Sequence, residues 1–173
     1  KKRPKSIDIT SELDGLGAVY NAFTEMEFTG YFAKGRPEHF EAMLDVVSDI
    51  YLNQIFDPRE IDKERGVIVE EINMYEDLPM RRVQESFITL LYGDQPAGWD
   101  IAGRKEVIKK LTREDFLKYR DEHYLGQASL AVIAGQFNEE EAVKKIKAVF
   151  ADIKAGKKTP KIKTIEQQDK PRV

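Results

Sequence analysis

The chain has 173 residues, enough for one domain with a sizeable core and too few for two comfortable ones. Its composition, 41% hydrophobic and 34% charged, is that of an ordinary globular protein, and a net charge of −3 gives no ground for a nucleic-acid partner. Cysteine is missing, which excludes disulfides and thiolate metal sites, and no apolar run approaches the roughly 20 residues of a membrane span. With no signal-peptide pattern at its start, the sequence reads as soluble, with a cytoplasmic setting favoured and no membrane partner. It opens at Lys1-Lys2-Arg3-Pro4 without Met, which suggests a fragment or a processed form.

In chain order, Lys5 to Leu13 reads as a short helix ended by the turn Gly15-Leu16-Gly17. Ala18–Thr24 and Phe28–Ala33, rich in aromatic and β-branched residues and separated by Glu25-Met26-Glu27, read as a β-hairpin. Phe40, Met43, Leu44, Val47, Ile50 and Tyr51 then repeat at helical spacing and predict a helix that covers the hairpin. Pro79 starts another helix, with Val83, Phe87, Ile88, Leu90 and Leu91 inward and Gly93 closing it. Trp99 is the one large anchor of the turn-rich stretch 94–103. Thr112 and Asp115 resemble a capping box. Ala128–Ala134 is almost wholly apolar and predicts a central strand buried on both faces. Asn138 caps a last helix with Val143, Ile146, Val149 and Phe150 inward, and 156–173 reads as linker or tail. The class is α+β, an antiparallel-leaning sheet covered on one face by helices; three strands are thin support, so further strands are expected upstream.

The most informative stretch is Asp57–Asp77, which predicts one long amphipathic helix: Asp57 is a good N-cap, Pro58 suits the first helical position, and Glu60 stands where a capping-box acid would. Projected at about 100° per residue, Met74, Val67, Tyr75, Ile68, Ile61 and Ile72 fall in an arc roughly 160° wide that predicts the buried face. Glu64 and Glu71 fall near the middle of that arc. They are 71 − 64 = 7 residues apart, so they point the same way at about 10 Å along the axis. An ionised carboxylate held against an apolar layer costs several kcal/mol unless compensated. The residues alone leave two readings open: ordinary acids facing Arg or Lys from a neighbouring element, or a metal or catalytic site.

Four stretches in order, Leu13-x-Gly15-x-Gly17-x-x-x-Asn21-Ala22-Phe23-Thr24, the helix with Glu64-Arg65-Gly66-Val67-Ile68 and Glu71, Gly93-x-x-Pro96-x-Gly98, and Leu130 to Gly135, resemble the pitrilysin/insulinase family of zinc metallopeptidases. The resemblance implies a Zn²⁺ endopeptidase with an inverted H-x-x-E-H motif and a third ligand in an E-R-x-x-x-x-x-E pattern. By that resemblance Glu71 is the zinc ligand, Glu64 is its supporting acid in the catalytic site, and Asn21, Ala22 and Phe23 lie on the strand that pairs an extended peptide substrate. H-x-x-E-H is missing from the 173 residues; His39 and His123 stand outside any such motif and carry no metal role in this reading. The resemblance therefore places two ligands and the general base before residue 1. It makes 1–155 a truncated N-terminal half-domain and 156–173 a linker towards a second homologous half-domain or subunit. The fragment itself would be inactive, and dimeric where its sheet edge lacks a neighbour. The alternative within the family fold is a non-catalytic core or scaffold paralogue.

Overall fold

A computed structural model describes residues 2–166 and 170–171. The chain divides into two compact units, Lys1–Ile55 with Tyr119–Lys158, and Phe56–Lys118 with Thr159–Val173.

In the first unit, helix α1 (Ser6–Gly15) stops where Gly17 adopts φ 63° and the Ala18 amide turns back to the Leu13 carbonyl at 3.0 Å. The reversal delivers the chain into an antiparallel hairpin, β1 (Val19–Thr24) and β2 (Thr29–Lys34), in register from Val19 opposite Lys34 to Thr24 opposite Thr29. Its loop is closed by the Glu25 amide donating to the Phe28 carbonyl at 2.8 Å. Helix α2 (Phe40–Leu52) packs on β2, as the periodicity predicts. The core between them is Leu13, Met43 and Val46, with Ile9, Leu16, Ala18, Tyr20, Ala33 and Ile50 against it. Val46, not Val47, is the fully buried valine of α2, so its inward face is turned by about one residue from the expected one.

Charge fastens the start of the chain to this core. The Arg3 side chain is only 8% exposed and reaches Glu12 of α1 at 2.5 Å, Asp45 of α2 at 2.9 Å and Asp49 at 3.6 Å, while Lys2 pairs with Asp45. The amides of Lys2 and Arg3 also donate to Asp49 Oδ2, at 3.3 and 3.2 Å. Hydrogen bonding to Arg3 holds the Glu12 carboxyl below its ordinary value, and Lys2 and Arg3 do the same for Asp45. Burial pushes Asp49 up, but Asn53 and the two amides together outweigh it and leave it depressed.

A tyrosine cluster completes the unit. Tyr31 and Tyr124 share a hydrogen bond of 2.9 Å, and the Tyr51 ring lies 4.9 Å from that of Tyr124 and edge-on to Phe150, just past the end of α7 (Glu139–Val149). Burial pushes the Tyr124 phenol up, as the Tyr31 hydrogen bond does. Asn138 caps α7 by accepting the Glu141 amide at 3.0 Å; Ala142 rather than Val143 faces inward there.

The predicted strand 128–134 is corrected. Its residues carry no ladder, Leu130 is 88% exposed and Val132 77%, and among the described residues the sheet has two strands, β1 and β2. A β-prone apolar run gains nothing from its propensity without a neighbour to satisfy its backbone.

The second unit is built on helix α3 (Pro58–Glu76), packed against α4 (Pro79–Tyr92) and the short α5 (Lys105–Ile108). Gly93, at φ 67°, ends α4 as expected, but Val83, Phe87, Ile88 and Leu90 of α4 are exposed rather than inward. Trp99 is likewise half exposed; its indole donates to Asp94 at 2.8 Å, so it is tied to the loop instead of anchoring it in a core. Helix α6 (Arg113–His123) opens with the reciprocal Thr112–Asp115 bonds of a capping box, at 2.8 and 3.4 Å. Residues 156–166 form no helix or strand, and the Gln95 side-chain amide clasps the Ile165 backbone through two bonds of 2.9 Å.

Leu13→Ala is expected to lower the unfolding free energy by about 2–5 kcal/mol, seen as a lower urea midpoint at unchanged slope. The depressed carboxylates around Arg3 give an acid signature. Because their folded pKa values lie below the unfolded ones, the unfolded chain takes up more protons, and the stability they contribute is whole above about pH 4–5 and lost as pH falls through the depressed values. Thermal melts from pH 6 to about pH 2 should therefore show a steeper acid loss of Tm in the wild type than in Arg3→Gln.

Candidate functional site

The approach to α3 is fixed before the helix begins. Phe56 takes φ 52°, a left-handed conformation costly for a bulky residue, and two contacts hold it there: the ring stacks on Phe116 at 5.6 Å and Arg113 Nε donates to its carbonyl at 2.9 Å. Asp57 then caps the helix by accepting the Arg59 amide at 2.8 Å, with Pro58 in the first turn. Glu60 pairs with Lys63 at 2.7 Å, so the capping-box role expected for it is not taken up.

The packed face of the helix is turned from the apolar arc rather than opposite to it, with four of the six arc residues, Ile61, Ile68, Ile72 and Tyr75, still inward. Ile72 is buried and Ile61, Arg65, Ile68 and Tyr75 are half-buried, while Val67 is 60% exposed and Met74 52%. Arg65 moves the face. Its guanidinium donates to the carbonyls of Ile108 at 3.1 Å and Leu111 at 2.7 Å, groups at and just past the end of α5 that lack helical partners. A long side chain can bury its stem while its head satisfies carbonyls, so a cation occupies an inward position that a hydropathy count assigns to the outside.

Glu64 and Glu71 are consequently exposed, not held in an apolar layer as expected, and among the described residues neither is paired with an Arg or Lys. They remain on one side of the helix with Val67 between them. Glu71 accepts a hydrogen bond on Oε1 from the Tyr75 hydroxyl at 2.5 Å, which pushes the Tyr75 phenol up. The Arg81 guanidinium lies over the Tyr75 ring, 3.2 Å from its centroid, and its Nε donates to Glu85 at 2.8 Å. Tyr75 and Arg81 are residues the sequence reading missed. The i to i+4 spacing of Glu71 and Tyr75 was a readable signal; Arg81 meets Tyr75 across the Leu78-Pro79 corner, which periodicity does not encode.

As a donor set, Glu71 suits a zinc ion: an outward carboxylate oxygen with one hydrogen bond keeps lone pairs to give. It fits as one ligand only, because no group of three His, Cys, Asp or Glu side chains gathers among the described residues. His123 lies against the Tyr119 ring at 4.3 Å.

The other predicted residues, Asn21, Ala22 and Phe23, lie together on β1 opposite Phe32, Tyr31 and Gly30. Phe23 lies over Gly30 so closely that a Cβ there would come within 2.4 Å of its ring, and it meets Phe28 edge-on at 5.9 Å. Asn21 Oδ1 takes the Ala22 amide at 2.8 Å, closing part of the strand edge. β1 belongs to the first unit and the acids of α3 to the second.

A small antiparallel hairpin under helices, with a separate capped helix carrying two outward acids in the second unit, defines an α+β chain. The insulinase (peptidase family M16) description matches residues 1–105 and the peptidase M16 inactive domain matches residues 110–173, and the chain belongs to the insulinase family. It is 34% identical over 151 residues to an uncharacterized zinc protease of Rickettsia felis, covering 87% of this chain and 37% of that protein. It is 29% identical over 162 residues to the mitochondrial-processing peptidase subunit beta of Dictyostelium discoideum, covering 94% of this chain and 34% of that protein. A protease from Helicobacter pylori shares the fold, with TM-score 0.83 at 21% identity over 96% of this chain and 40% of that one. The chain thus spans about a third of the length of the curated relatives it matches. Among the described residues no helix is long and apolar enough to cross a membrane.

Asp57→Ala removes the cap that starts the acid-bearing helix. It is expected to cost about 1 kcal/mol of stability, measured by denaturant unfolding.

Proposed function

We propose that the full-length protein containing this chain is a zinc-dependent endopeptidase in which Glu71 is a metal ligand and Glu64 a supporting acid of the catalytic site. The observation that carries this reading is the placement of the two acids. In a chain of the insulinase family, the E-R-x-x-x-x-x-E pair stands outward on one side of a capped helix, free of Arg and Lys partners among the described residues. Two carboxylates on one side of a helix, neither with an Arg or Lys partner among the described residues, favour a cation there by charge.

When bound, zinc supplies Lewis-acid activation of a water for attack on an amide carbonyl. The chain's own residues do the rest of the work assigned to them here. Glu71 gives a carboxylate oxygen to the ion. Glu64, two turns away at about 10 Å along the axis, is too distant to share it and adds negative charge that orients a neighbouring group. Asn21, Ala22 and Phe23 pair an extended peptide by strand addition, for which Asn21 Oδ1 must release the Ala22 amide; Phe23, with Phe28 and Phe32, forms the apolar wall beside it. Residues 1–155 act as part of a half-domain and 156–173 lead towards a second homologous half or subunit, which fits the share of its relatives that the chain covers. The open edges of a two-stranded sheet support self-association of the fragment.

A second reading, a non-catalytic core or scaffold paralogue, is favoured by one finding: residues 110–173 match a domain described as inactive. An intact H-x-x-E-H in the full-length sequence decides for the peptidase, and its lack decides for the scaffold.

Glu71→Gln in the full-length protein is expected to lose both zinc and peptidase activity, since an amide lacks the charge that holds the cation. Glu64→Gln should keep zinc while losing about 10–100-fold in rate. Metal analysis beside a peptide-cleavage assay checks both, and full zinc content in both variants with mild rate losses would sink the proposal. The 173-residue chain alone should cleave no peptide and lose zinc under mild chelation, because one carboxylate replaces the three or four protein ligands that such sites use.

A further inference from the structure

An exposed glutamate is a poor ligand unless something removes its freedom, because its side chain samples many rotamers and its charge attracts any nearby Arg or Lys. The surroundings of Glu71 address both problems. The Tyr75 hydroxyl donates to Oε1 at 2.5 Å from one turn further along α3, so the carboxylate is directed along one side of the helix. The Tyr75 ring is in turn covered by the Arg81 guanidinium, 3.2 Å from the ring centroid. A cation on the ring face holds the ring in place and draws electron density from the phenol, strengthening its donation. Arg81 is itself engaged by Glu85 at 2.8 Å, one turn further along α4. The Arg81 guanidinium is thereby paired with another acid, and among the described residues no ion pair joins it to Glu71.

We propose that Tyr75 and Arg81 are positioning residues for Glu71, forming with Glu85 a chain of contacts that fixes the carboxylate's direction and preserves its charge for a cation. This rests on the reading of Glu71 as a metal ligand. Neither residue touches the metal or the peptide; their action runs through Glu71, as hydrogen bonds behind a ligand orient it and tune its affinity.

The test uses the full-length protein, its zinc affinity measured by chelator competition and its Co²⁺-substituted form read by visible absorption. Tyr75→Phe removes one hydroxyl and keeps the ring under Arg81; it should bind zinc about 10–100-fold more weakly and shift the Co²⁺ bands, with the far-ultraviolet dichroism unchanged. Arg81→Gln, which leaves the Glu71–Tyr75 pair in place, should weaken zinc binding by a smaller factor, and Arg81→Lys should restore part of that loss. The Arg81 variants carry the test if Tyr75→Phe proves poorly folded. Glu71→Gln separates the two levels. If it keeps its zinc, the ligand reading fails and the inference with it. If it loses zinc while Tyr75→Phe and Arg81→Gln retain wild-type affinity and an unchanged Co²⁺ spectrum, the positioning role alone is overturned.

Discussion

One face of α3 is packed and the other is not, and the candidate chemistry follows from which is which. Ile61, Arg65, Ile68 and Ile72 turn inward, and Arg65 secures that orientation by donating to the carbonyls of Ile108 and Leu111. With the helix held in this rotation, Glu64 and Glu71 stand outside the packing, where an ionised carboxylate needs no buried partner. An ion pair with a neighbouring element, the plainer account of two acids at this spacing, is not what the packing makes of them. The acids are available to a ligand because an arginine has taken an inward place.

The helix is fixed at both ends by polar and ring contacts rather than by a deep core. Phe56 and Asp57 set its start, through the Phe116 stack, the Arg113 bond and the cap on Arg59. At the other end Glu76 pairs with Lys105 of α5 at 2.5 Å, and the Leu78-Pro79 corner sends the chain back so that Arg81 covers Tyr75. The first unit uses the same device. Its apolar core is small, and the Arg3 cluster with Glu12, Asp45 and Asp49 ties the entering chain across two helices. A buried guanidinium is tolerable there because carboxylates surround it and the backbone amides of Lys2 and Arg3 share the load on Asp49.

Local chemistry was legible in the sequence and tertiary phase was not. Asp57 with Pro58, Thr112 with Asp115, Asn138 and Gly93 mark helix ends through caps and permissive backbone, interactions confined to a few neighbouring residues, and the helices begin and end where these residues say. The hairpin was readable from its aromatic and β-branched runs. What failed depends on partners distant in the chain. The inward turn of Val46 is set by the hairpin beneath it, Arg65 is inward because of carbonyls more than forty residues away, and 128–134 has strand composition without a strand to pair with among the described residues. The acid pair was found for a partly mistaken reason: its place in the apolar arc drew attention to it, yet the arc is exposed there. The reading of the spacing as a metal site rests on its likeness to the family's E-R-x-x-x-x-x-E pattern and stands as a proposal.

Anomalous diffraction at the zinc edge, from crystals of the full-length protein, tests the central claim most directly. The account predicts a single strong peak at about 2.0–2.2 Å from a Glu71 carboxylate oxygen, with the Glu64 carboxylate outside that distance. A zinc peak remote from α3, or one held by Glu64 and not by Glu71, would contradict it.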